Sequence, residues 1–204
     1  MKTTCLTIII TIFVSVLMSF QNLQSGYQPG DKAVDFSLKN VDGKMVSLKD
    51  YRDAKGYIIV FTCNHCPFAK LYEDRIIDLH KKYASKGLPV IAINPNDPVK
   101  QPEDSFENMA KRAKEKGYGF PYVFDETQAI AKAYGAERTP HVFVLRKEGS
   151  EYIVEFIGAI DDNAQDASGA KEKFVEKAAD EILAGKQVTT KSAKAIGCTI
   201  KWKS

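Results

Sequence analysis

Two cysteines, Cys63 and Cys66, stand two residues apart and are followed at once by Pro67. Thiols at this spacing can form a reversible disulfide. If a helix begins near Asn64, the two lie one turn apart, with Cα atoms roughly 5–6 Å from each other, inside the range a disulfide tolerates. On that geometry Cys63 sits at a helix N-terminus. Unpaired N–H groups and the helix dipole favour an anion there, so Cys63 is expected to be the attacking thiolate. Cys66, one turn deeper, is expected to resolve the mixed disulfide. Pro67 suits a first turn, which needs no N–H from it. His65, between the cysteines, is expected to tune the thiolate, directly or as a cation. A favoured thiolate favours the reduced form and makes the couple more oxidising.

A zinc reading needs a second close pair of ligands. Cys5, Cys198, His80 and His141 supply none, so neither a metal nor any other cofactor is expected. Cys198 is a candidate third redox thiol; its alternative is a small buried hydrophobe in a last strand. A non-enzymatic Cu(I) protein, with two thiolates and a histidine as soft ligands, is one alternative function.

The elements that must position the pair are legible around it. Tyr57–Phe61 is apolar throughout and β-branched in the middle, as in a buried strand. From Cys66 to about Tyr83 apolar residues recur at helical spacing, and Gly87 closes the segment. Leu88–Ile93 reads as a second buried strand, so the unit is βαβ with parallel strands. The cysteines thus fall at the C-terminal end of the first parallel strand, where open α/β sheets hold their sites. Val41-Asp42-Gly43-Lys44 and Lys147-Glu148-Gly149-Ser150 each mark a hairpin. Further helices are expected from about Ser105 to Lys116, with Asp104 and Glu107 at capping-box spacing, from Glu126 to Tyr134, and from Ser168 to Leu183. The fold class is α/β, a central mixed sheet flanked by helices with an N-terminal hairpin extension.

The chain has 204 residues and a formal charge of +3, too small a surplus to argue for nucleic acid. Residues 1–25 read as an export signal. Lys2 gives the positive start, and Leu6–Met18 is an apolar stretch too short to span a bilayer. An uncleaved anchor is the alternative, and only then is a membrane a partner. The expected domains are the signal, 1–25, and one catalytic domain, 26–204. An exported, periplasmic location is expected, where a dithiol can cycle.

Thr139-Pro140 stands immediately before the apolar strand His141–Leu145. Here the chain resembles the thioredoxin superfamily, and within it the redoxin, or peroxiredoxin-like, branch. The matching stretches are Thr62–Phe68, Asn94–Asp97, Pro102–Ser105, Ile160–Asn163 and Gly197–Trp202. The resemblance implies a thioredoxin-like fold and thiol–disulfide exchange with partner proteins. It implies a cis bond at Pro140, and a substrate-binding set of Asn64, Thr139 and Pro140 in which the Thr139 backbone pairs with substrate as an added strand. Departures are visible. Tyr57 stands where thioredoxins carry a buried aspartate, leaving the proton acceptor for Cys66 unassigned, and Glu73 and Asp74 read as exposed. Cys63 stands where peroxiredoxins carry a hydroxyl residue, so peroxidase activity, the other alternative function, is expected to be weak.

Overall fold

The computed structural model describes residues 26–204; the expected export signal, with Cys5, lies outside the described residues. Three short strands come first: β1 (Lys32–Ala33), β2 (Leu38–Asn40) and β3 (Met45–Val46). The central βαβ unit follows as β4 (Gly56–Phe61), α1 (Pro67–Tyr83) and β5 (Val90–Asn94). Next come α2 (Phe106–Lys116), β6 (Tyr122–Phe124), α3 (Ala129–Tyr134) and β7 (Arg138–Thr139). The long hairpin β8 (His141–Glu148) and β9 (Glu151–Gly158) leads to α4 (Phe174–Leu183) and β10 (Cys198–Thr199).

Eight strands form one sheet in the order β1-β9-β8-β4-β5-β6-β2-β3. β4 pairs parallel with β5 and antiparallel with β8, so the sheet is mixed. All six residues of β4 are buried, because both faces are covered. Ile58 and Val60 face a core built with Tyr72, Ile76 and Leu79 of α1, Met109 of α2 and Val175 of α4. Tyr57, Ile59 and Phe61 face the opposite core, with Tyr134 of α3, Leu48 and Ile200. The α/β class, the parallel βαβ unit and both hairpins are as expected.

The start of α4 and the cap of α2 differ from expectation. α4 begins at Phe174 rather than near Ser168. The Ser168 hydroxyl donates to Asp166 Oδ1 at 2.6 Å instead of accepting a helical N–H, within a run of side-chain turns around Asp161, Asn163 and Asp166. α2 is capped by Ser105, whose oxygen accepts from Asn108 N–H, and Asp104 is released for another role. The segment after α4 closes on the site: β10 pairs antiparallel with β7, placing Cys198 opposite Thr139.

Candidate active site

α1 starts at Pro67, not near Asn64, and Cys66 is its N-cap residue with φ −63° and ψ 124°. The reason lies in the sequence. A residue before proline is pushed out of the helical region, so the helix cannot run back through Cys66. Cys63 therefore lies in the bend that precedes the helix, and Cys66 holds the helix end. The expectation that helix position alone makes Cys63 the anion is corrected accordingly.

Both sulfurs are buried: Cys63 is 3% exposed and Cys66 0%. Cys63 Sγ lies 3.1 Å from Thr139 Oγ1 and 3.5 Å from His65 Nδ1. Cys66 Sγ donates to the Thr139 carbonyl oxygen at 3.1 Å. The hydrogen bond between the two thiols, burial and the nearby Asp104 carboxylate push Cys63 up. The same sulfur–sulfur hydrogen bond draws Cys66 down to about 4. The Thr139 groups pull the other way, because a carbonyl keeps a proton on Cys66 while a hydroxyl can donate to Cys63. The result is a pair holding one proton between two sulfurs, with a first ionisation made easy and a second made hard.

Thr139 sits at the junction of both sulfurs, and the Thr139–Pro140 bond is cis, as the resemblance implied. The Thr139 backbone edge, however, is taken by Cys198 and Thr199 of β10. Cys198 packs against the cluster of Cys63, Cys66 and Ala69. Burial, and then the adjacent Cys66, raise its thiol to about 11. All three cysteines among the described residues are free thiols.

The residue that sequence reasoning missed is Asp104, whose side chain is fully buried. Its Oδ1 accepts from the backbone N–H of Asn64 at 2.7 Å and of His65 at 3.1 Å. Its Oδ2 meets His65 Nδ1 at 2.6 Å and accepts from Asn96 Nδ2 at 2.8 Å. One carboxylate thus fixes both residues between the cysteines and orients the imidazole beside Cys63. The one signal in the sequence was an acidic residue next to a serine that can cap α2 unaided.

Asn64 also departs from expectation. It is buried, donating to Glu103 O at 2.8 Å and accepting from Tyr122 OH at 3.0 Å, so its amide is turned inward rather than offered to a substrate. Glu73 is buried, not exposed: Arg112 grips it with two hydrogen bonds of 2.6 Å and Tyr118 OH adds a third. With those partners it is no proton acceptor for Cys66. Asp74 is exposed, as read. His141 faces Phe143 on β8, away from the sulfurs; burial and the Arg138 charge push it down to about 4.

Cys63 Sγ, His65 Nδ1 and an Asp104 oxygen lie within 4.8 Å of one another, close enough to share a cation. These groups already engage one another and their neighbours: His65 Nδ1 lies 2.6 Å from Asp104 Oδ2 and 3.5 Å from Cys63 Sγ, and Asp104 also accepts from two backbone N–H groups and Asn96.

Comparison with known proteins agrees with this geometry. The chain is 27% identical over 120 residues to thiol-disulfide oxidoreductase ResA of Halalkalibacterium halodurans, covering 59% of this chain and 64% of that protein, which is under two thirds of its length. An uncharacterized conserved protein of Geobacillus kaustophilus superposes with a TM-score of 0.79 at 40% identity, covering 86% of this chain and 92% of that one. A hypothetical protein of Sinorhizobium meliloti superposes with a TM-score of 0.80 at 34% identity, covering 88% and 97%. The sequence profile of the AhpC/TSA family matches residues 29–151. That match spans more than half of the 204 residues and takes in Cys63 and Cys66, and the chain belongs to the AhpC/TSA family.

Proposed function

We propose that this protein is an exported thiol–disulfide oxidoreductase that exchanges disulfides with cysteine-bearing partner proteins. The observation that carries the reading is the pair of buried sulfurs brought together on Thr139, Cys63 Sγ at its hydroxyl and Cys66 Sγ at its carbonyl, each at 3.1 Å. A shared proton leaves one sulfur anionic near neutral pH, and the thiolate is the species that attacks a disulfide. Both sulfurs lie deep, but Cys63, at 3% exposed against 0% for Cys66, is the less enclosed of the two, so Cys63 makes the first contact. Cys63, passing its proton across to the Cys66 sulfur, attacks one sulfur of the partner disulfide, and the other partner sulfur leaves as a thiolate and takes a proton. Cys66, giving up its proton, then attacks Cys63 in the mixed disulfide. The second partner sulfur leaves, with Cys63–Cys66 oxidised and the partner reduced by two electrons. The reverse sequence oxidises a partner.

The name of the Halalkalibacterium relative supports this chemistry. Export rests on residues 1–25 read as a signal, and it suits a dithiol pair, which can cycle in an oxidising compartment. No helix among the described residues is long and apolar enough to cross a membrane. The domain reading, a cleaved signal before residues 26–204, belongs to the same proposal.

Cysteine variants test it on a disulfide-bonded protein substrate. Cys66→Ser should accumulate a mixed disulfide through Cys63, and Cys63→Ser should neither trap substrate nor turn over. Turnover by Cys63→Ser at the wild-type rate refutes the reading. The reduction potential then sets the direction: near about −270 mV the protein is a reductant, near about −120 mV an oxidant.

A further inference from the structure

We infer that Cys198 is the third member of a thiol relay, taking the disulfide from Cys63–Cys66 onto Cys66–Cys198 and so carrying it from the enclosed pair to a more accessible edge. This deepens the proposed exchange activity and rests on it.

Three observations place Cys198 there. It stands opposite Thr139 in the β7–β10 pair, and Thr139 O is the acceptor for the Cys66 thiol, so both cysteines flank one residue. It packs on the Cys63, Cys66 and Ala69 cluster. It is only partly buried, whereas the other two thiols are enclosed.

The segment that carries it is firmly seated. Ile200 is 4% exposed, and its N–H donates to Glu137 O at 3.1 Å. Lys201 N–H donates to Asn96 Oδ1 at 2.8 Å, and Lys201 O accepts from Asp97 N–H and Gln128 Nε2. Gly197 permits the approach: a Cβ there would stand 2.3 Å from Thr139 O. The backbone edge on which a substrate strand would add is thus filled by the protein's own strand, and that strand brings a cysteine.

The step balances without an outside oxidant. The Cys198 thiol loses its proton and attacks Cys66 sulfur in the Cys63–Cys66 disulfide. The Cys63–Cys66 bond breaks, and Cys63 leaves as a thiolate and takes up a proton. One disulfide is exchanged for another, and the oxidised Cys63–Cys66 pair is the product of the exchange proposed above. Once Cys66 is in a disulfide it no longer bears charge, which removes one of the influences holding the Cys198 proton.

The test uses the full chain, oxidised to a series of glutathione poises, quenched in acid, alkylated and mapped by peptide mass spectrometry. The relay predicts two populations: label on Cys198 with Cys63–Cys66 linked, and label on Cys63 with Cys66–Cys198 linked. In Cys63→Ser, the Cys66–Cys198 link should form directly. Label on Cys198 alone at every poise, together with no Cys66–Cys198 link in Cys63→Ser, overturns the relay. For Cys198→Ser, no second disulfide population should appear and steady-state turnover should fall roughly tenfold, because exchange depends on access to the attacked sulfur. Unchanged steady-state turnover in Cys198→Ser also overturns the relay, and leaves the exchange activity standing. Turnover by Cys63→Ser at the wild-type rate would instead remove the activity on which the relay rests.

Discussion

Two buried carboxylates tie the regions of α1 and α2 together, and they are matched differently. Glu73, inside α1, meets the permanent cation of Arg112 in a two-point grip, with Lys116 at 3.3 Å. Asp104, just before α2, meets two backbone N–H groups, an amide and an imidazole. The first set of partners neutralises a charge and leaves it inert. The second leaves the negative charge felt at Cys63, where it helps push the thiol up. Equal burial therefore serves two ends: Glu73 holds helices together, and Asp104 shapes the turn that carries the sulfurs.

Removing each acid's support should separate these roles. The largest effect is expected for Asp104→Ala, which strands the N–H groups of Asn64 and His65 in a closed site. At about 1–3 kcal/mol for each unsatisfied buried group, the loss is about 4 kcal/mol by chemical denaturation. Amide exchange at Asn64 and His65 should rise, and disulfide turnover should disappear. Stability unchanged in this variant would break the comparison.

Next is Arg112→Met, which leaves Glu73 buried with weaker partners and should cost about 3 kcal/mol, the scale for breaking a buried ion pair. Turnover measured well below the melting point should stay near wild type; a proportionate loss would mean that Glu73 also serves the site. The pH dependence sharpens this. Burial raises Glu73, but the hydrogen bonds of Arg112 and Tyr118 outweigh it and hold the carboxyl below its ordinary value of 4.5. A depressed folded value means stability that is complete above about pH 4.5 and is lost as pH falls through the lower folded value. Arg112→Met should flatten that acid limb in urea titrations at a series of pH values.

The smallest effect is expected for His65→Gln, which replaces the ring 3.5 Å from Cys63 while keeping a polar group facing Asp104. Alkylation of Cys63 should slow by a factor below about ten, the equivalent of less than one pKa unit. Global stability should change by about 1 kcal/mol or less. An unaltered alkylation rate would assign His65 to packing alone.

What could be read in the sequence was local. The cysteines at a strand end, the hairpins and the βαβ unit each follow from local spacing and pattern, whereas the cis bond at Pro140 came only from the family resemblance. Glu73 was legible too, since Ala69, Tyr72 and Ile76 place it on the buried stripe of α1, yet its charge argued for exposure. Asp104 was not legible. Its partners at Asn64 and His65 lie 40 and 39 residues away, and only the folding of the 94–104 segment onto the turn brings them together. The start of α4 was misread because Ser168 looks like a cap until Asp166 claims its hydroxyl. The start of α1 was set by Pro67, a local rule that outranked the attraction of a helix dipole for sulfur.

Tyr57 has a consequence for how fast this centre can work. Its ring lies in the core on the far face of β4 and its hydroxyl is spent on Leu48 O at 2.7 Å, with burial holding its proton tightly. Tyr57 therefore lends the sulfurs no hydrogen ion from that face. Apart from the thiols, the ionisable partners in reach of Cys63 among the described residues are His65 and Asp104, on the side of the turn, so a step limited by proton delivery would answer to changes there and not at Tyr57.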